Sequence, residues 1–308
     1  MQRPRKLAPG ARIAIVAPAS PFDRPSFDDG VAELRRIGLE PVWDESVFAR
    51  RGFVAGEPHV RAAAIRQALA DPTIDALIAV RGGYGSAQVL PLLDAAAIAA
   101  AGKPIIGYSD ITALLMFTTI QAGLVSFHGP MLEARLAKAD AGYDRSSFER
   151  ALYMDAPMGP LRAPMLETIV EGEASGMLLG GTVTQLLASL ATPYAFDPPN
   201  GFVLFFDEVG ERPYRLDRMV TQLKQSGLLA RASAVVVGEL PRCDEPSGLF
   251  TGRSTLADAL QDFPGPVVMG FPSGHVDGPQ QTLPFGVRAR VVANADVARL
   301  IIEEPAVQ

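Results

Sequence analysis

An α/β fold built on parallel strands is what this 308-residue sequence predicts, and three observations carry the expectation. Short, nearly continuous apolar runs recur, as strands buried on both faces require: residues 11–17 (ARIAIVA), 74–80 (IDALIAV), 202–206 (FVLFF) and 234–238 (AVVVG). Segments of helical spacing lie between them, and strand–helix alternation implies right-handed crossovers within a parallel sheet. Glycine-rich or polar corners follow the runs directly, as in Arg81-Gly82-Gly83-Tyr84-Gly85 and Gly107-Tyr108-Ser109-Asp110.

Taken in order, residues 11–17 open the series as a strand, and 27–37 (FDDGVAELRRI) have helical spacing. Residues 40–43 read as a second strand, and 60–70 as a helix stopped by Asp71-Pro72. The strand at 74–80 runs into the Arg81 turn, and 86–93 reads as helical. A strand at 105–106 ends in the Ser109 corner, a helix over 112–117 follows at once, and 124–127 closes the series. Ligand sites in such sheets lie beyond the carboxyl ends of the strands, which is where the Arg81 turn and the Ser109 corner fall. Residues 154–176 are rich in Pro, Gly and Met and hold no steady period, so they read as an inter-domain linker between a domain at 1–153 and another at 177–308. The second half has the pair Gly180-Gly181 before a helical run, strands at 202–206, 234–238, 266–269 and 287–292, and a helix near 216–225.

Composition narrows the function classes. With 48% hydrophobic and 20% charged residues the chain reads as a soluble globular protein. A net charge of -6 without a long basic run disfavours a nucleic-acid partner. The single cysteine, Cys243, excludes an internal disulfide and permits a reducing compartment. The apolar run 13–17 is too short for a signal segment and is broken by Pro18, and no apolar stretch is long enough to span a bilayer. The expectation is a cytoplasmic protein with no membrane partner. There is no HExxH, no CxxC and no histidine pair at ligand spacing, so no metal is expected. RGGYG is not a Walker loop, and no GxGxxG follows the first strand, so no nucleotide cofactor is expected either.

The corner at Ser109 has two readings. A sharp strand-to-helix turn exposes a nucleophilic serine and aims the next backbone N–H, that of Asp110, at a developing oxyanion, although Ile111 stands where the usual elbow has its second glycine. The same tetrapeptide also reads as a helix N-cap by Ser109 or Asp110. A nucleophilic serine needs a base, and three histidines are available. His59 sits among charged neighbours in a helical stretch, and His128 follows a strand of the same sheet as Ser109. His275 lies in a Gly/Pro-rich loop (GFPSGHVDGPQQTLPFG) of the kind that presents function. Asp207 and Glu208, directly after the apolar strand 202–206, are the acid candidates.

The segments IAIVAPAS, AVRGGYG, IIGYSDITALL, HGPM, LLGGTVTQLLASLATPY, LFFDEVGERPYRLDRM and GFPSGHVDGPQQTLPFG together resemble, in order and spacing, the signatures of the LD-carboxypeptidase family. That family includes muramoyltetrapeptide carboxypeptidases and microcin-C self-immunity peptidases. The resemblance implies an N-terminal flavodoxin-like parallel sheet with helices on both faces and a C-terminal swivelling β/α domain. It implies a cytoplasmic, homodimeric serine peptidase that trims the terminal D-alanine of a small peptide, a murein tetrapeptide, in cell-wall recycling. Ser109 matches the family's nucleophile and His275 its base. Where the family has Glu then Asp, this chain has Asp207-Glu208, so the position of the triad glutamate holds Asp207, with Glu208 the alternative acid if the register slips by one. Backbone N–H groups of Asp110 and Gly83 are the candidate oxyanion hole, and Arg81, Gly82 and Tyr84 the candidate substrate contacts. Arg81 suits a terminal carboxylate by bidentate pairing, and suits equally well a structural ion pair. Competing expectations are a peptidase of aminoacyl-nucleotide antibiotics, which wants aromatic residues for a nucleobase where this chain has one tryptophan, Trp43; a non-catalytic small-molecule-binding protein; and a zinc carboxypeptidase.

Overall fold

The computed structural model describes all residues 1–308. Its fourteen strands are β1 (Arg12–Val16), β2 (Glu40–Val42), β3 (Ala76–Ala79), β4 (Ile105–Gly107), β5 (Ser126–His128), β6 (Gly159–Pro160), β7 (Glu167–Val170), β8 (Gly172–Thr182), β9 (Phe202–Asp207), β10 (Ala232–Gly238), β11 (Val267–Phe271), β12 (Leu283–Phe285), β13 (Arg288–Ala293) and β14 (Ala298–Ile302). Contacts divide the chain into one unit of Met1–Ala156, Gly278–Gly286 and Pro305–Gln308, and a second of Pro157–Asp277 and Val287–Glu304. The Pro/Gly/Met-rich stretch 154–176 holds β6, β7 and the start of β8.

The sheet of the first unit has the order β12-β5-β4-β3-β1-β2. Strands β2-β1-β3-β4-β5 are parallel and follow the flavodoxin-like order. β12 adds antiparallel to β5, pairing Leu283 with His128 and Phe285 with Ser126. β1, β3 and β4 are apolar at nearly every position because neighbouring strands and helices cover them on all sides, and Ile13, Ile15, Leu77, Ile78 and Ile106 are essentially inaccessible to water. The helix Arg24–Arg36 starts at Asp23, whose carboxylate accepts from the N–H of Ser26, and has Pro25 in its first turn. The segment read as a helix over 86–93 is a 3-10 helix, Ser86–Leu92, with Pro91 inside it; a proline supplies no N–H to an α-helical ladder. The carboxyl ends of β1, β3 and β4 lead into Ser20, Gly82 and Ser109, respectively.

The second unit carries the sheet β6-β14-β13-β8-β9-β10-β11-β7. Strands β8, β9, β10 and β11 are parallel, and the flanking pairs are antiparallel. All six residues of β9 are buried. The helix Pro213–Gln225 turns Leu216, Met219, Val220 and Leu223 inward, the i, i+3, i+4, i+7 stripe of an amphipathic helix. Between β8 and β9 the backbones pass so closely that a Cβ on Gly180, itself at φ +150°, would collide with the carbonyl oxygen of Phe205. β9 thus delivers its last residue, Asp207, at the carboxyl end of the sheet, beside Thr182 at the end of β8. No helix of the protein is long and apolar enough to cross a membrane.

Candidate active site

In the first unit the chain leaves β4 through an extended Tyr108 and enters the left-handed region at Ser109, φ 62°. A non-glycine residue held there is strained by roughly 1–3 kcal/mol, and such strain gathers at functional sites. Neither the 3-10 turn Ser109–Ile111 nor the helix Thr112–Met116 has a side-chain cap hydrogen bond. Ile111 folds back over the start of the corner, where a Cβ on Gly107 would come within 2.7 Å of its Cγ2. The corner therefore has the first glycine of the elbow pattern, with Ile111 at the position of the second.

The Asp110 carboxylate does not cap the helix but turns to the RGGYG loop. Ser86 N–H donates to its Oδ2 at 2.7 Å, while the Ser86 hydroxyl donates to the Asp110 carbonyl. Both residues are buried, and burial raises the Asp110 carboxyl above the usual range, opposed by these hydrogen bonds and by the nearby Arg61. Gly82 is the loop's point of closest approach. A Cβ there would lie 2.8 Å from Ser109 Cβ, 3.1 Å from Ser109 Oγ and 3.2 Å from Asp110 N. Gly83 faces Ser20 instead, whose N–H donates to Gly82 O at 3.2 Å and whose Oγ accepts from Tyr84 N–H at 3.0 Å. Arg81 pairs with Glu133, Nε to Oε2 3.1 Å, and donates to Pro21 O at 3.3 Å, so the structural ion pair weighed above is present. Tyr84 is exposed.

In the second unit Asp207 and His275 meet. His275 Nδ1 lies 2.7 Å from Asp207 Oδ2, and the His275 backbone N–H donates to the same oxygen at 2.6 Å. Thr182 Oγ1 donates to Oδ1 at 2.9 Å. Asp207 is fully buried and the His275 side chain is 16% exposed. Three donors converge on one carboxylate, an environment that suits its anion. An aspartate is a methylene shorter than a glutamate, and the histidine loop makes up the reach by coming close. It can do so because Gly274 has φ +79° and no Cβ; a Cβ there would strike the Asp207 carboxylate.

Glu208 faces elsewhere. Its Oε2 accepts from Thr184 Oγ1 at 2.6 Å and Thr184 N–H at 3.1 Å, and its Oε1 from Val209 N–H at 3.0 Å. Burial raises its carboxyl, with the neighbouring Asp207 adding to the shift. His59 is exposed on the helix Pro58–Ala70. His128 is buried between Tyr108 and Phe285, with ring centroids at 6.1 and 5.3 Å. No group of three or more His, Cys, Asp or Glu side chains is placed to hold a metal ion. Ser20, Ser86 and Thr182 were not singled out by sequence reasoning. The available signal was position alone: each stands at or just past a strand end or glycine-rich turn.

Chemically, an Nδ1–H held by a carboxylate leaves the Nε2 lone pair of His275 as a base. The Ser109 corner supplies a hydroxyl with an N–H beside it. Residues 13–129 match the LD-carboxypeptidase N-terminal domain, and residues 175–291 the LD-carboxypeptidase C-terminal domain. A Streptomyces coelicolor protein, whose name carries a carboxypeptidase activity as an inference, is 39% identical over 99% of this chain and 97% of its own. The murein tetrapeptide carboxypeptidase of Pseudomonas aeruginosa is 28% identical over 92% of this chain and 94% of its own. Among solved structures, the muramoyltetrapeptide carboxypeptidase from Oxalobacter formigenes is similar with a TM-score of 0.83 and 28% identity, over 96% of this chain and 99% of that one. MccF in complex with glutamyl sulfamoyl guanosine reaches a TM-score of 0.91 over 100% of both chains, at 23% identity, a likeness of fold alone. Matches to both domains, with 39% identity to a relative along nearly the whole chain, place this protein in the LD-carboxypeptidase family.

Proposed function

We propose that the protein is a serine-type LD-carboxypeptidase that hydrolyses the terminal L,D amide bond of murein tetrapeptides and releases D-alanine, with Ser109 as nucleophile, His275 as base and Asp207 as the acid of the triad. The observation that carries the reading is the Asp207–His275 pair, whose Nδ1 contact of 2.7 Å leaves Nε2 to act on a hydroxyl. In this mechanism His275 Nε2 takes the Ser109 proton as Oγ adds to the amide carbonyl. The carbonyl oxygen becomes an oxyanion that accepts from Asp110 N–H and from the N–H of Gly83 in the Gly82-Gly83 turn. The imidazolium, steadied by Asp207, returns the proton to the leaving amine of D-alanine, and the C–N bond breaks. Water, deprotonated by the same nitrogen, hydrolyses the acyl-enzyme and frees Ser109. Arg81 and Tyr84 contact the substrate beside Gly82 in this reading, the Arg81 guanidinium keeping its Glu133 partner while meeting the terminal carboxylate. No step asks for a cofactor. A cytoplasmic homodimer working in cell-wall recycling is part of the same proposal and rests on the family resemblance.

Incubation with murein tetrapeptide, followed by mass spectrometry, tests the activity: loss of one D-alanine by the wild type and none by Ser109→Ala is the expected result. Loss of a nucleophile costs on the order of a millionfold in turnover. Near wild-type turnover by Ser109→Ala ends the serine reading. Inactivation by a chelator, restored by zinc, replaces it with metal chemistry.

A further inference from the structure

Two large aromatic side chains stand in water next to the nucleophile corner. Phe53 is 69% exposed and Tyr84 is 52% exposed, and their rings meet edge to face with centroids 5.3 Å apart and planes at 70°. Single exposed apolar residues are ordinary, but a paired and rigidly mounted aromatic surface at a binding loop is a feature of recognition sites.

Hydrogen bonds hold the turns on both sides. The turn bearing Phe53 is closed by reciprocal hydrogen bonds between Arg51 and Val54 at 2.9 and 3.1 Å. Tyr84 is held by its N–H to Ser20 Oγ at 3.0 Å. The two turns touch, since a Cβ on Gly85 would fall 2.7 Å from Val54 Cγ1. The buried Arg61 staples them, donating Nε to Gly56 O at 3.1 Å and an Nη1 hydrogen to Gly85 O at 2.8 Å.

We propose that Phe53 and Tyr84 form a carbohydrate subsite that stacks the pyranose ring of the muramic acid in sugar-linked murein peptides. This deepens, and rests on, the reading of the protein as a murein tetrapeptide carboxypeptidase. Reach supports the occupant. Gly82 lies against Ser109, and Tyr84 is two residues further, at most about 7 Å of backbone. In an extended tetrapeptide the sugar-bearing end lies three residues from the scissile bond, roughly 10 Å, a span that the Tyr84 backbone and side chain together cover.

Chemistry supports it too. The peptide offers no broad apolar surface, whereas a pyranose presents a face of C–H groups that an aromatic ring covers well. A purine favours a full ring face or a slot between parallel rings. The edge-to-face pair offers no slot, and part of one face is taken by its neighbour. Arg51 and Glu57, paired beside Phe53, add the polar rim that sugar hydroxyl and N-acetyl groups need.

The test compares kcat/KM on free tetrapeptide and on N-acetylmuramoyl-tetrapeptide for wild type, Phe53→Ala, Tyr84→Ala and Tyr84→Phe. The wild type is expected to favour the sugar-linked substrate by about tenfold. Phe53→Ala and Tyr84→Ala should bring that ratio close to one, and Tyr84→Phe should keep it. A wild-type ratio near one, or a ratio that the two alanine variants leave unchanged, overturns the proposal. Equal losses on both substrates assign the pair a structural role and overturn it as well. A third ligand, glutamyl sulfamoyl guanosine, separates the other aromatic-stacking occupant. If the alanine variants weaken only its binding, the platform serves a nucleobase. Should wild type cleave neither peptide, the functional reading fails by itself. Calorimetric binding of the same two peptides to Ser109→Ala then still decides between a sugar subsite, seen as tighter binding of the sugar-linked form that Phe53→Ala abolishes, and none.

Discussion

At the scale of single residues, neighbours in sequence have separate tasks. Asp207 and Glu208 are adjacent, yet one accepts from His275 and the other from Thr184. β9 ends at Asp207, and Glu208, the first residue past the strand, turns its carboxylate to Thr184 in the first turn of the helix Val183–Ala188. Asp207→Asn is expected to lower turnover about ten-thousandfold, since the amide disfavours the tautomer with its proton on Nδ1. Glu208→Gln should cost far less activity. If Glu208→Gln is the crippling change, Asp207 is not the acid of the triad. Glu208 also sets a pH dependence of stability. Burial raises its carboxyl above the ordinary glutamate range, so its favourable contribution is complete below that range and is lost as pH rises through the native value. Glu208→Gln removes that loss but turns an amide towards Val209 N–H, a penalty that does not vary with pH. The variant should therefore be weakest relative to wild type in acid and gain on it towards neutrality, read from urea midpoints at several pH values. A constant difference across pH would mean that Glu208 does not titrate in that range. Strand ends and a glycine-bounded loop mark Ser109, Asp207 and His275 in the sequence as candidates, and the structure pairs Asp207 with His275. Sequence reasoning did not reach Ser86 or Thr182, whose importance comes from which distant backbone their hydroxyls meet.

At the scale of elements, glycines decide how closely loops approach Ser109 and Asp207. The RGGYG turn and the Ser109 corner are separate in sequence, joined by Ser86–Asp110 hydrogen bonds and by the Gly82 contact. Gly82→Ala would force a methyl against Ser109 Cβ and Oγ, so turnover should fall at least about a hundredfold, the order for misplacing a reacting group by an ångström. The fold should survive, because the clash is with one side chain and its adjoining N–H. Circular dichroism with a turnover assay checks both parts, and an active Gly82→Ala would remove the loop from the site. Gly180→Ala is the contrasting case. Its clash is with the Phe205 carbonyl inside the sheet, at a φ that other residues avoid, so it should cost several kcal/mol of stability, and expression of folded protein should drop. The same comparison shows what local pattern misses. Nearly continuous apolar runs located β1, β3, β9 and β10, whereas the segment Ser86–Leu92, of helical spacing in sequence, is a 3-10 helix with Pro91 inside it.

At the scale of the whole molecule, the path of the chain is less visible in the sequence than its elements. Periodicity reports burial along a segment, and it carries no information on which distant edge that segment pairs with. The parallel order β2-β1-β3-β4-β5 follows from consecutive crossovers, and so was legible as a class. The pairing of β12 with β5 joins residues more than a hundred apart, and nothing local announces it. That pairing makes a strong prediction. A fragment of residues 1–156 lacks β12 and the C-terminal residues, which hydrogen-bond through Gln308 to Pro4 and Lys6 at 3.0 Å each. Leu283 and Phe285 are fully buried in the first unit, and each such side chain contributes about 1.5–3 kcal/mol. Together that is about 3–6 kcal/mol, comparable to the stability of a marginal domain at the lower end of the usual range of about 5–15 kcal/mol, and their loss uncovers the edge of β5 to pairing with other chains. The fragment should aggregate or elute as a mixture on size exclusion and show no cooperative urea transition. Joining residues 278–286 and 305–308 to it through flexible linkers should restore a monomer that unfolds cooperatively. A 1–156 fragment that is monomeric and as stable as the rejoined form would show that the returning segments decorate the first unit without completing it.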